Sequence, residues 1–324
     1  MGELEPRKLR GMKGVNMDFA EKFPGGVWPV MLTPYTEKGA IDEDALAALT
    51  EWYVGSGVKG LFAACQSSEI FYLNQKERLK IVEITMEAAR GRVPVIASAN
   101  TSEDIEAQAE ELNAVWDLGV DAAILLSNRL AGPEDPEEVW TENFYRLLDR
   151  LNPDIRLGIY ECPYPYKRIL RSREIQAMVG TGKFHFLKDT CCDIAAIRQK
   201  LEQIKGSSIK LFNANTATLL QSLRDGADGY CGVMANFHPE LYVWLCEHFM
   251  EEAAEKVSNV LTMSALIERQ LYPVNAKWHL RNLEMLPVRI ESRCQDSSLL
   301  TETFRQEIRV MDELIGDTYR TYCI

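Results

Sequence analysis

Three stretches of this chain repeat one short phrase: Ser56-Gly57-Val58-Lys59-Gly60-Leu61, Leu118-Gly119-Val120-Asp121-Ala122-Ala123 and Asp225-Gly226-Ala227-Asp228-Gly229-Tyr230. Each reads as a helix end, a glycine in a left-handed cap and the start of a strand. Parallel strands need helical crossovers, so a helix-to-strand phrase used in series implies repeated βα units.

Apolar runs place strands at 27–32, 60–64, 94–99, 122–126, 155–160, 184–188, 210–213 and 229–233. Helical patterns lie between them. Asp42 can cap a helix running through Trp52, and Asn74 with Glu77 forms a capping-box pattern. Ile105, Ala109, Leu112 and Trp116 supply one apolar helical face. No strand is followed by the Gly-x-Gly-x-x-Gly turn of an open dinucleotide-binding sheet, so the α/β expectation is a closed (β/α)8 TIM barrel. Beyond about residue 249 the patterns are helical only, including 299–315, and predict a C-terminal helical layer. The expected division is a polar extension at 1–22, the barrel at 23–249 and the helical region at 250–324.

With 46% hydrophobic residues in 324, the chain can bury a large core. A net charge of -12 argues against a nucleic-acid partner, because a phosphate backbone is met by clustered cations. No apolar run approaches a membrane span, and the first 22 residues lack the apolar centre of a secretory signal. The eight cysteines have neither scaffold spacing nor a Cys-x-x-Cys pair. They are expected to be reduced, in a cytoplasmic protein without a metal.

In such a barrel the site lies at the carboxyl ends of the strands. There the sequence gathers Cys65-Gln66-Ser67-Ser68-Glu69, Ser127-Asn128-Arg129, Tyr160-Glu161-Cys162-Pro163 and Lys188-Asp189. Alternation along the sixth strand would put Phe184, Phe186 and Lys188 on one face, with Tyr160 on the neighbouring strand. A lysine in an apolar strand-end position can serve as the nucleophile of Schiff-base chemistry, or it can pair with Asp189 or reach solvent. Cys65, Cys162, Cys191, Cys192 and Cys231 also fall near strand ends and read as small apolar fillers. His238 reads as a helix start, and Asn213, Asn215 and Asn236 as turn residues or contacts to substrate hydroxyls.

Leu32-Thr33-Pro34-Tyr35 with Gly39-x-Ile41-Asp42, Ser68-Glu69 with Leu73-x-x-x-Glu77-Arg78, and Ile159-Tyr160 with Pro163 before Phe186-Leu187-Lys188-Asp189 form an ordered set. On these residues the chain resembles the dihydrodipicolinate synthase and N-acetylneuraminate lyase family of class I aldolases, over about 24–320. The resemblance implies that Lys188 forms an imine with a 2-oxo acid and that Tyr160 shuttles protons. It also implies that Ser67 meets the substrate carboxylate, with Gln66, Ser68, Ser127 and Val233 as further substrate contacts.

Three departures stand out. Gln66 replaces the family's proton-relay hydroxyl, and Ser127 takes the place of its second relay tyrosine when Asn128 is matched to the family's asparagine. Pro165 stands where synthases that use aspartate semialdehyde carry an arginine, which argues against dihydrodipicolinate synthase itself. Arg129, Lys167 and Arg168 are the nearby cations that can replace it or remain solvated at the rim. The expectation is a cofactor-free, Schiff-base-forming lyase acting on pyruvate or a longer 2-oxo acid, assembled as a homotetramer. Its alternatives are a 2-oxo acid dehydratase and a non-catalytic ligand-binding barrel.

Overall fold

The computed structural model describes residues 23–323, so the expected extension at 1–22 lies outside the described residues. Eight parallel strands form one sheet in the order β1-β8-β7-β6-β5-β4-β3-β2. They are β1 Gly26–Val27, β2 Leu61–Phe62, β3 Val95–Ser98, β4 Ala122–Leu126, β5 Leu157–Tyr160, β6 Phe184–Asp189, β7 Lys210–Asn213 and β8 Gly229–Tyr230. A parallel bridge between Val30 and Phe62, with the Met31 amide donating to the Phe62 carbonyl at 3.0 Å, joins the two ends. The sheet therefore curls into a (β/α)8 barrel.

The first and last strands are shorter than the apolar runs suggest. Pro29 cannot donate to a ladder, which limits regular pairing after Val27. Beyond Tyr230 the chain tightens into a 3-10 turn, Val233–Asn236, so Val233 lies past the strand.

Seven crossover helices separate the strands: α1 Glu43–Gly55, α2 Gln75–Ala89, α3 Ile105–Asp117, α4 Glu137–Leu148, α5 Ser172–Thr181, α6 Ile194–Ile204 and α7 Thr216–Arg224. The local signals act as expected. Asp42 accepts from the Ala45 amide, and Asn74 and Glu77 exchange both bonds of a capping box at 3.0 Å. Gly57, Gly119 and Gly226 all have positive φ, which frees the chain to leave each helix for the next strand. Four helices follow β8: α8 Pro239–His248, α9 Ala253–Ser264, α10 Val274–Asn282 and α11 Glu302–Tyr322. Proline at the first position of α8 suits a helix start, and Thr301 caps α11.

Side chains on or next to β1, β2, β6 and β7 fill the barrel with an aromatic plug. Trp28, Phe62, Phe186 and Phe212 are fully buried, with Phe186 and Phe212 stacked at 4.2 Å and Trp28 edge-on to Phe186 at 5.1 Å. Each such ring contributes about 1.5–3 kcal/mol of burial. The plug forms the floor beneath the strand ends.

Simple alternation fails at one point. Phe184 does not share the interior with Phe186 and instead packs outward on Phe144 of α4. The register between β5 and β6 slips there, with Leu157 opposite Phe184 but Gly158 opposite Phe186. One extra residue, His185, is absorbed as a bulge, and alternation then resumes through Leu187 to Lys188.

Gly158 makes room for this arrangement. A Cβ at that position would lie 2.4 Å from Ile124 Cδ1 and 2.9 Å from Phe186 Cβ. Gly158→Ala is therefore expected to cost about 1–3 kcal/mol through overpacking, read from the midpoint of urea unfolding. An unchanged midpoint would mean that the plug yields more easily than its close packing implies.

Candidate active site

A cavity of about 540 Å3 opens at the carboxyl ends of the strands, and Lys188 and Tyr160 both line it. β5 and β6 bring the two together, since Tyr160 and Lys188 are direct partners in the sheet register. Each is only 4% exposed. The Lys188 Nζ lies 4.1 Å from the centre of the Tyr160 ring and 5.7 Å from that of Phe62. The amine therefore points into the barrel mouth, over an aromatic face.

The Tyr160 hydroxyl donates to Gln66 Oε1 at 3.3 Å, and Cys162 Sγ approaches the same oxygen at 3.7 Å. Burial holds the Tyr160 phenol well above its usual range, with the Cys162 thiol adding to the effect. Burial likewise pushes the Cys162 thiol up to about 11. Both groups thus keep their protons, and Tyr160 enters any reaction as a donor.

Gln66 and Ser67 line the cavity from a 3-10 turn, Gln66–Ser68, just beyond β2. Val233 also lines the cavity. Ser68 and Ser127 are placed differently. The Ser68 hydroxyl bonds to the carbonyls of Met31 and Ala63 at 2.6 and 2.8 Å, fixing the turn from behind. The Ser127 hydroxyl donates to the Arg168 carbonyl at 3.2 Å, and neither serine is among the residues lining the cavity.

Asn128 does related work. Its Nδ2 reaches the carbonyls of Cys162, Tyr164 and Tyr166, each at 2.8 Å, and so shapes the loop after β5. Of the nearby cations, Lys167 lines the cavity, whereas Arg168 is buried against Glu174 at 2.7 Å. Arg129 turns toward the Ser102 carbonyl at 3.4 Å. Asn215 both caps α7 and lines the cavity, while Asn213 bonds to Thr218 and Ser222.

The C-terminal region supplies a wall that periodicity did not reveal. Tyr272 lines the cavity, its phenol raised by burial with nearby Ser67 opposing that shift, and it accepts from Asn236 Nδ2 at 2.8 Å. Asn236 also accepts from Tyr53, so a chain of polar groups runs from Tyr272 into the core. Glu69 in turn gathers the strap at 292–294: it accepts from Ser292 Oγ at 2.9 Å and from the Arg293 and Cys294 amides at 2.6 and 3.0 Å. Its other oxygen meets the buried Lys277 Nζ at 2.8 Å. Burial lowers the Lys277 amine, and the Glu69 carboxylate opposes that shift. The strap carries Cys294 and Gln295 to the cavity.

All eight cysteines are unpaired, and Cys65, Cys162 and Cys231 are buried as small fillers. His238 occupies the residue before α8 and is not part of the cavity wall. Among the described residues, His279, Glu284 and Asp312 bring potential metal-ligand atoms within 4.8 Å of one another. They lie outside the cavity lining, and His279 Nε2 is already bonded to Asp312 at 2.9 Å.

Comparison with known proteins agrees with this fold. Residues 23–296 match the Dihydrodipicolinate synthetase family, and the chain belongs to that family. A 4-hydroxy-tetrahydrodipicolinate synthase of Saccharophagus degradans is 24% identical over 275 residues, covering 81% of this chain and 89% of that protein. Among solved structures, the sialic acid aldolase of Ruminococcus gnavus, as its catalytic lysine mutant, superposes with a TM-score of 0.82 at 21% identity, covering 93% of this chain and 98% of that one. The Acinetobacter baumannii dihydrodipicolinate synthase, complexed with pyruvate, gives 0.79 at 20% identity over 91% and 99%. The family's members are class I aldolase-type lyases acting on small molecules, and this chain is an enzyme of that type.

Proposed function

We propose that Lys188 captures pyruvate or a longer 2-oxo acid as an imine and that the protein cleaves a bond to the carbon beyond it. The observation that carries this reading is the buried pair of Lys188 and Tyr160, 4.1 Å from amine to ring centre, at the floor of an open cavity. The amine attacks the ketone, and Tyr160 delivers the proton that lets the oxygen leave as water. The resulting iminium accepts the electron pair released at the adjacent carbon. Ser67 and the amides of its turn bind the substrate carboxylate, with Gln66 and Val233 as further contacts.

The partner of Tyr160 favours one refinement. Gln66 offers an amide oxygen where a hydroxyl would both take and give a proton, so protons reach Tyr160 from substrate or solvent and not along a hydroxyl chain. Whether an aldehyde or water leaves from the distal carbon is decided by the far wall of the cavity. The proposed assembly is a homotetramer, supported by exposed apolar side chains on the C-terminal helices such as Met263, Val310 and Leu314. A cytoplasmic location is supported by the eight unpaired cysteines, and no helix among the described residues is long and apolar enough to cross a membrane.

The test is chemical trapping. Incubation with pyruvate and borohydride should attach a reduced three-carbon acid to Lys188, located by peptide mass spectrometry. Absence of that adduct with pyruvate and with longer 2-oxo acids would remove the imine reading and leave a binding barrel.

A further inference from the structure

Two carboxylates line the cavity, and they differ in what holds them. Glu69 is saturated by Lys277, Ser292 and two backbone amides. Glu268, on the 3-10 segment Ala265–Arg269, is half-buried and forms neither a hydrogen bond nor an ion pair with any described residue. Arg269 beside it is exposed, also lines the cavity, and acts on Glu268 only through the field of its charge. Removing a carboxylate from water without a partner is costly, so a chain that places one here gains from it when a ligand supplies the donors.

We propose that Glu268 is a specificity residue that recognises hydroxyl groups on the half of the substrate remote from the 2-oxo acid. The inference rests on the imine reading of Lys188 for the orientation of that substrate. With the keto carbon fixed at Lys188 and the carboxylate at Ser67, the remainder of a longer acid extends into the rest of the cavity, whose lining includes Asn215, Val233, Glu268, Arg269 and Pro273. A carboxylate in that lining accepts hydrogen bonds from hydroxyls. The preferred substrates are therefore 2-oxo acids whose distal carbons carry hydroxyls. Burial raises the Glu268 carboxyl above its usual range and Arg269 only partly offsets it, which fits a group left without a fixed partner.

The test compares two substrates that differ only in distal hydroxyls: 3-deoxy-2-oxohexonate, and 4-hydroxy-2-oxohexanoate, which lacks those on the last two carbons. The wild-type ratio of kcat/KM should favour the first, and in Glu268→Gln and Glu268→Leu that preference should fall by on the order of tenfold or more. Glu268→Leu should at the same time raise Tm, since it relieves an unpaired buried charge, whereas a structural glutamate would lower Tm when replaced. An unchanged ratio in both variants overturns the proposal. Should wild-type protein fail to form the borohydride-trapped adduct, the imine reading falls separately. Calorimetric binding of 3-deoxy-2-oxohexonate then decides the role of Glu268, with weaker binding in both variants supporting it and equal or undetectable binding in all three proteins overturning it.

Discussion

Lys188→Ala is expected to reduce exchange of the pyruvate methyl protons with deuterated water by at least about a thousandfold, because that exchange needs an electron sink that only a covalent imine supplies here. Proton exchange is a more general readout than cleavage, since it requires no knowledge of the aldehyde half. The amine sits above the Tyr160 ring in a position 4% exposed, so no neighbouring nucleophile occupies its place when it is removed. Of the other buried lysines, Lys277 is fixed by Glu69 and by the Glu291 carbonyl at 2.7 Å and Lys200 by Glu161 and Asp189, so neither can substitute. The variant should keep its fold, because truncation at the cavity floor opens space continuous with the cavity and not a sealed void. Exchange followed by proton NMR, with circular dichroism as the folding control, separates lost chemistry from lost structure. Exchange at the wild-type rate in Lys188→Ala would end the Schiff-base account.

How much of this was legible in the sequence depends on the range over which each feature is encoded. Caps and turns are local, so Asp42, Asn74 and the glycines at 57, 119 and 226 declared their helix ends correctly. Strands 122–126 and 210–213 were readable to the residue because each has an apolar centre bounded by turn residues. The outward turn of Phe184 was hidden, since a bulge is decided by pairing across β5 and not by the pattern of β6 alone. Within the site, Lys188, Tyr160, Gln66, Ser67 and Val233 do meet around one cavity. Ser68 and Ser127 carry the same hydroxyl as Ser67, yet backbone carbonyls claim them, and residue type cannot say which way a hydroxyl turns. The walls from Glu268, Tyr272 and Gln295 were invisible because the C-terminal segments that carry them dock across some 200 positions of sequence, as the Lys277 to Glu69 bond illustrates with a separation of 208.

Lys200→Met should be the most destabilising of the single changes considered, at about 3–5 kcal/mol near neutral pH. Lys200 is 4% exposed as a side chain, and its amine bridges Glu161 and Asp189, both wholly buried. Those carboxylates directly follow Tyr160 and Lys188, so the bridge ties the ends of β5 and β6 together just beyond the two reactive side chains. Glu161 also receives the Leu170 and Thr190 amides at 2.9 Å, and Asp189 receives the Cys191 amide at 3.0 Å. These bonds remain in the variant, but two buried negative charges lose their only cation among the described residues. Burial already raises the Glu161 carboxyl above its ordinary value despite Lys200, and removal of that amine must raise it further. A carboxyl whose folded value exceeds its unfolded value binds its proton more readily when folded, so its stabilising contribution is present at low pH and lost as pH rises through the folded value. The deficit of Lys200→Met should therefore shrink on acidification from about pH 7 toward about pH 5, as urea unfolding at the two values would reveal. A deficit that stays constant or grows toward acid would show that the bridge does not act as a buried charge pair, and wild-type stability at neutral pH would show that methionine packs there as well as the ion triad.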